Sequence, residues 1–151
     1  MRFSKILVTT DFSEASSPAL EIAAYDHKMS GAEVRLLFVY QYFHPGVTFS
    51  DIPIPLIGAE QFENERRLLQ TKLEETAKKH FHGESVIAEA VLSLNSPADT
   101  ITFYADKHKI EAIVMGSRGQ SSLRGFFLGS TVQGVLRRSS CPVVVVPSRT
   151  Q

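Results

Sequence analysis

Ala112-Ile113-Val114-Met115-Gly116-Ser117-Arg118-Gly119, followed after nine residues by Gly129-Ser130-Thr131, is the stretch on which the reading of this chain turns. A short apolar run leads into a glycine-rich loop, and a helix opens near Ser130. These are the parts of a phosphate cradle. Glycine lets the backbone approach an anion closely. The first turn of a helix has N–H groups without intrahelical partners, and its dipole favours negative charge. Gly116, Gly119, Gly125 and Gly129 are equally what an ordinary surface turn would carry, so on this segment alone both readings stand.

Working outward, four more apolar runs appear: Ile6-Leu7-Val8, Val34 to Tyr40, Val86 to Leu92 and Val143 to Val146. Most do not alternate apolar with polar, which is how strands covered on both faces read. The run at 86–92 carries Glu89 and is expected to be half exposed. Helical segments lie between the runs. Ser17-Pro18 reads as N-cap and N1 of the first, with a start nearer Ser13 as the alternative; Leu20, Ala23, Ala24 and His27 follow at helical spacing and Gly31 ends it. A second runs from about Ala59 to His80 with Phe62, Leu69, Leu73 and Ala77 on its stripe. Ser96-Pro97-Ala98-Asp99 supplies cap, N1 proline and first-turn acid for a third, whose stripe is Ile101, Tyr104 and Ala105. The last spans about Ser130 to Arg138, with Val132, Val135 and Leu136 expected to face inward. Strands alternating with helices imply right-handed crossovers. The expected fold is α/β: an open, doubly wound, five-stranded parallel sheet, order 3-2-1-4-5, with helices on both faces. Residues 1–151 are expected to form one domain, interrupted by one long irregular stretch, Gln41 to Gly58, of the kind that serves as a lid or a partner surface or is partly disordered.

The totals narrow the function. Lys plus Arg and Asp plus Glu are both 16, so the formal charge is zero, and nothing in that balance points to nucleic acid or an anionic membrane. Hydrophobic residues at 43% and charged ones at 21% are those of an ordinary globular domain. The single cysteine, Cys141, forbids an intrachain disulfide and reads as a small buried hydrophobe. Met1 to Phe12 lacks the apolar core of a signal peptide, and no apolar run has the length of a membrane span. A cytoplasmic protein is expected.

In open doubly wound sheets, ligands bind beyond the carboxyl ends of the strands, where the strand order reverses. With order 3-2-1-4-5 that point lies between strands one and four. Thr9-Thr10-Asp11-Phe12-Ser13, after strand one, offers a carboxylate and hydroxyls, suited to ribose or a metal. The glycine-rich loop after strand four offers N–H groups and the guanidinium groups of Arg118 and Arg124, suited to phosphates. Asp11 has a competing role as a turn or cap residue, Arg118 and Arg124 as exposed loop cations, and Ser130 as a helix cap.

These residues resemble the universal stress protein family, in its ATP-binding branch, which carries Gly-x2-Gly-x9-Gly-(Ser/Thr); Gly116, Gly119, Gly129 and Ser130 match with the spacing intact. Ile6 to Ser13, Leu36 to Val39, Ser96-Pro97-Ala98 and Ser140 to Val146 extend the likeness over all but the 41–58 loop. The resemblance implies that Thr9, Thr10 and Asp11 line the nucleoside side, with Asp11 near the ribose. It places Val39 against adenine through its main chain, and Met115, Gly116 and Ser117 beside the sugar and α-phosphate. Gly119, Gly129, Ser130, Thr131 and Val132 would hold the phosphates. Many relatives have Pro or Val at Thr9, His at Phe38 and Gly at Asn95; main-chain contacts survive the first two changes, and Asn tolerates left-handed geometry. The implied ligand is ATP, ADP or AMP, with Mg2+ or Mn2+. Family members often dimerise through the fifth strand, and a bare Val143–Val146 edge independently favours pairing with a second copy.

The leading expectation is a nucleotide-dependent regulatory module of the stress response, acting on a downstream protein that the sequence does not name. The alternatives are a slow ATPase or phosphotransferase, and a dimeric stress-protective scaffold that needs no ligand. No general base beyond Asp11 stands near the loops, since His44, His80, His82 and His108 have no route there, so any hydrolysis is expected to be weak. The Gly-Lys-(Ser/Thr) ending of a P-loop is absent, no glycines open the first helix as a dinucleotide fingerprint would require, and Ser-Gly-Gly-x-Asp-Ser does not follow strand one.

Overall fold

The computed structural model of the protein describes residues 2–41, 59–118 and 128–148. Its strands are β1 (Lys5–Thr10), β2 (Glu33–Tyr40), β3 (Ile87–Leu92), β4 (Ala112–Gly116) and β5 (Val143–Val146). Its helices are α1 (Ser17–Ser30), α2 (Ala59–Phe81), α3 (Pro97–Lys107) and α4 (Ser130–Arg138), with a 3-10 turn at Glu14–Ser16 before α1. The strands are all parallel, in the order β3-β2-β1-β4-β5, as expected. Val8 lies opposite Leu36 on one side and Val114 on the other.

Successive strand residues face opposite sides, and here both sides are covered. Ile6, Val8, Val34, Leu36 and Val114 pack with Leu20 and Ala23 of α1 and Leu73, Ala77 and Phe81 of α2. Leu7, Leu37, Ile113 and Met115 pack with Ile101, Tyr104 and Ala105 of α3 and Val132 and Val135 of α4. Two buried faces explain why the strands read as unbroken apolar runs. Each fully buried Leu, Ile or Val contributes about 1.5–3 kcal/mol. Leu136 departs from the expectation: it is 45% exposed. Val132 and Val135 already define the inward stripe of this short helix, and Leu136 lies about 100° further round.

Most local signals act as the sequence suggests, although the N-cap of α1 is Ser16 and Ser17 is already helical. Gly31, with φ 71°, ends α1 in the left-handed conformation and donates its N–H to the His27 carbonyl. The Ser96 hydroxyl oxygen accepts from the Asp99 N–H at 3.1 Å, capping α3. One contact was not anticipated. A methyl group built on Gly134 would come within 2.6 Å of the Ala98 Cβ, so the bare glycine is what lets α4 lie against the start of α3. Arg138 Nε then reaches Asp99 Oδ1 at 3.1 Å across the same pair of helices.

At the amino-terminal end of the sheet, the Tyr104 hydroxyl donates to Glu89 and accepts from Arg35 Nη1 at 3.2 Å. Burial, reinforced by the bond to Glu89, pushes the Tyr104 phenol up to about 12. The folded chain therefore keeps this proton where the unfolded chain, near the usual value of 10, releases it. The associated stability is complete below the unfolded value and is lost as pH rises through the folded one. Urea unfolding at about pH 8 and about pH 11 is expected to show stability falling across that window. Tyr104→Phe should remove this part of the slope; an unchanged slope in the variant would show that Tyr104 is not its source.

Candidate functional site

The chain enters the site from β1. Thr9 shares a face with Leu7 and is half-buried, whereas Thr10 is buried. The Thr10 Oγ1 accepts from the Phe12 N–H at 3.0 Å and lies 3.0 Å from the Ser16 hydroxyl. One oxygen of Asp11 accepts from the Ser13 N–H at 3.0 Å and from the Ser13 hydroxyl. Asp11 therefore does hold a turn, as its competing reading required, and the turn fixes that carboxylate at the end of β1. Phe12, in the middle, has a left-handed φ of 63°. That conformation costs a non-glycine residue about 1–2 kcal/mol. Here it packs the ring with its centroid 4.3 Å from that of Phe38, the two planes tilted by 43°, and with the Lys72 ammonium 4.4 Å from its own centroid. The sequence carries no signal for a left-handed Phe, although Asp11-x-Ser13 is a recognisable turn former.

The second wall comes from β4. Met115 is buried, so only its main chain is available to a ligand. A Cβ on Gly116 would meet the Ala15 carbonyl oxygen at 3.0 Å and the Ser16 Cα at 3.4 Å. Gly116 thus has a packing role that the sequence does not reveal: it lets the turn after β1 close onto the end of β4. Ser117 joins three segments. Its N–H donates to the Val146 carbonyl at 2.7 Å, its carbonyl accepts from the Gly129 N–H at 3.0 Å, and its hydroxyl accepts from the Ser148 N–H at 3.4 Å. Arg118 follows, half-buried. Gly119 and Arg124 lie outside the described residues.

The third wall is the start of α4. Gly129, not Ser130, is the N-cap, with φ −60° and ψ 152° and no side chain to bond the helix. Its carbonyl accepts from Gln133 N–H at 3.0 Å. An α-helix offers the next three amides, those of Ser130, Thr131 and Val132, no partner four residues back. The helix starts at Ser130 as expected, and the competing role of Ser130 as its cap does not hold: Ser130 is the first helical residue and is exposed. Val132 is buried, which leaves its amide as its usable group.

These contacts bring Thr10, Asp11, Gly116, Ser117 and Gly129 to Val132 together at the carboxyl edge of β1 and β4, where the strand order reverses. Val39 stands one strand away, opposite Val91 near the end of β2. The described histidines are elsewhere. His27 bonds the Ala32 carbonyl at 2.7 Å beside the start of β2; His80 lies in the last turn of α2, and His82 and His108 directly follow α2 and α3, helices that run back toward the amino-terminal edge. Among the described residues, no group of three or more His, Cys, Asp or Glu side chains is placed to hold a metal ion. No described helix is long and apolar enough to cross a membrane.

The model of the universal stress protein family matches residues 2–147. The chain belongs to that family. It is 33% identical over 148 residues to the universal stress protein YxiE of Bacillus subtilis, covering 95% of this chain and 99% of that one. It is 31% identical over 158 residues to the universal stress protein MJ0577 of Methanocaldococcus jannaschii, covering 95% and 94%. The solved structure of MJ0577 superposes with a TM-score of 0.71 at 28% identity over the full length of both chains. Two further solved universal stress proteins share the fold. One, in complex with cAMP, has a TM-score of 0.66 at 22% identity and covers 99% of this chain and 100% of that one. The other, from Archaeoglobus fulgidus in complex with dAMP, has a TM-score of 0.58 at 23% identity and covers 96% and 98%.

Proposed function

We propose that this universal stress protein binds an adenine nucleotide (ATP, ADP or AMP) at the carboxyl edge of β1 and β4, and that occupancy regulates its association with another protein. The observation that carries the reading is the start of α4: a first turn whose cap has no side chain, held by Ser117 beside the Asp11 turn. Backbone amides at a helix N-terminus suit phosphate oxygens, and the dipole adds to the attraction. In this reading the β1 end, Thr9, Thr10 and Asp11, lines the nucleoside side, with Asp11 at the ribose, and Val39 meets the base through its main chain. Met115, Gly116 and Ser117 flank the sugar and α-phosphate. Gly119, Gly129, Ser130, Thr131 and Val132 hold phosphates, and Arg118 and Arg124 neutralise their charge. The complexes of relatives with cAMP and dAMP support an adenine ligand. Mg2+ or Mn2+ would enter on the triphosphate, because such ions are commonly held by phosphate oxygens and water with few protein ligands. With Asp11 the one candidate base assigned to this site, turnover is expected to stay well below the ~1–100 s⁻¹ of kinases.

Isothermal titration with ATP and Mg2+ is the test. Heat of binding, with displacement of a fluorescent adenine analogue, is expected. Neither heat nor displacement from a folded sample would end the nucleotide reading and leave the ligand-independent scaffold in its place. We also propose a homodimer through Val143–Val146, because Val144 is 39% exposed on a strand that β4 covers on one side only.

A further inference from the structure

The sheet has two rims, and they are treated differently. A rim strand turns one row of N–H and C=O groups away from its neighbour, and that row is a template for strand addition. On β3, the inner row meets β2 in register, and the Ser93 N–H that continues it donates to the Tyr40 carbonyl at 2.8 Å. The outer row meets a side chain. Gln70 of α2 donates from Nε2 to the Ala88 carbonyl at 2.8 Å and accepts at Oε1 from the Ala90 N–H at 3.0 Å. Gln70 Nε2 also donates to Glu74 Oε1 at 3.0 Å, one turn further along the helix.

The side-chain amide of glutamine is chemically a peptide group, with one acceptor and N–H donors. A residue of a neighbouring parallel strand would make the same two bonds, N–H to one carbonyl and C=O from the N–H two residues later. Gln70 therefore occupies the position that one residue of a sixth strand would take. On β5 the outer row meets no such group among the described residues. The strand itself, Val143-Val144-Val145-Val146, carries no charge, and its prolines lie only at its two ends, Pro142 before it and Pro147 after it.

We propose that Gln70 is a guard on the β3 rim, excluding the rim strand of a second copy of this chain and so confining strand-to-strand association to β5. The consequence follows from symmetry. A single open rim can be satisfied by one partner across a two-fold axis, which closes the assembly. Two open rims permit β5-to-β3 contacts that repeat without closing. The guard is thus a device against open-ended growth, and it acts independently of nucleotide binding.

The test is Gln70→Ala in the full chain, examined by sedimentation velocity over a concentration series and by amide hydrogen exchange. The Ala90 amide is expected to exchange faster by about fivefold or more once its acceptor is removed. The variant should form species larger than the wild type, growing with concentration. Gln70→Glu keeps an acceptor for the Ala90 N–H and adds a charge to the rim, and should retain the wild-type size. A folded Gln70→Ala variant with faster Ala90 exchange and an unchanged size distribution would overturn the proposal. So would an unchanged Ala90 exchange rate, which would mean that the seal does not form. A monomeric wild type with a self-associating Gln70→Ala variant would refute pairing through β5 and still uphold the guard. Should Gln70→Ala fail to fold, a Gln70→Glu variant that grows with concentration like an unguarded rim would count against the proposal.

Discussion

Gly116→Val is expected to lower the stability of the nucleotide-free protein by about 2–3 kcal/mol, the range of an overpacked core position. Two effects oppose each other. Valine favours a strand, and the β-propensity gain is at most ~1 kcal/mol at the end of β4. Against it, the new Cβ starts 3.0 Å from the Ala15 carbonyl oxygen and 3.4 Å from the Ser16 Cα, before either γ-methyl is added. The turn cannot retreat cheaply. Ser16 donates to the Ser13 carbonyl from its N–H at 3.1 Å and from its hydroxyl at 2.8 Å, and its hydroxyl lies 3.0 Å from Thr10 Oγ1. Displacing Ser16 disturbs the same turn that orients Asp11, so affinity for nucleotide should fall together with stability. Urea unfolding without ligand separates the two possible roles of this glycine. Unchanged ligand-free stability in Gly116→Val would mean that position 116 is small only for the ligand, and that the close approach of the β1 turn is not a constraint.

That case also shows which parts of the molecule can be read in advance. Strand order and helix placement follow from patterns that repeat over many residues. Ile6-Leu7-Val8 is apolar without alternation because α1 and α2 cover Ile6 and Val8 while α3 and α4 cover Leu7. Ser96-Pro97 announces the start of α3 because cap and N1 proline are local requirements. What escapes a linear reading is what tertiary approach decides. Gly31, Gly116, Gly129 and Gly134 look alike in sequence, yet Gly31 supplies a left-handed φ while Gly116 and Gly134 supply space for a neighbouring turn and helix. Gln70 reads as one more polar residue on a charged helix; only the nearness of α2 to the β3 rim gives its amide a partner. Leu136 reads as core because it is apolar, but α4 is too short to bury a wider stripe. In the site itself, the pairing of the Asp11 loop with the loop after β4 was legible from topology alone, whereas the left-handed Phe12 between Thr10 and Ser13 was not.

Gly129→Asp is expected to move stability and nucleotide affinity in opposite directions. At φ −60° and ψ 152°, Gly129 occupies ordinary extended backbone that any residue adopts, so its conformational freedom is not what the position uses. By helix chemistry alone glycine is inferior there. Aspartate is among the preferred N-caps, better than glycine by a few tenths of a kcal/mol. Its charge interacts favourably with the helix dipole, for about 0.3–1 kcal/mol more. The nucleotide-free variant should therefore melt slightly higher, by about 2–4 °C for each kcal/mol gained in a domain of this size. If the amides of Ser130, Thr131 and Val132 hold phosphates, the same carboxylate sits where the anion must go. Two like charges about 4 Å apart near a protein surface repel by roughly 4 kcal/mol. A loss of at least about 100-fold in ATP affinity, about 2.7 kcal/mol, is the expected result. Gly129→Asn provides the contrast, with a cap of the same shape and no charge, and should retain more of the affinity. Melting curves without ligand and titration with ATP and Mg2+ measure the two effects separately. A Gly129→Asp variant that melts higher and still binds ATP at the wild-type affinity would show that the phosphates lie elsewhere, because a carboxylate cannot both cap this helix and leave an anion on the same amides undisturbed.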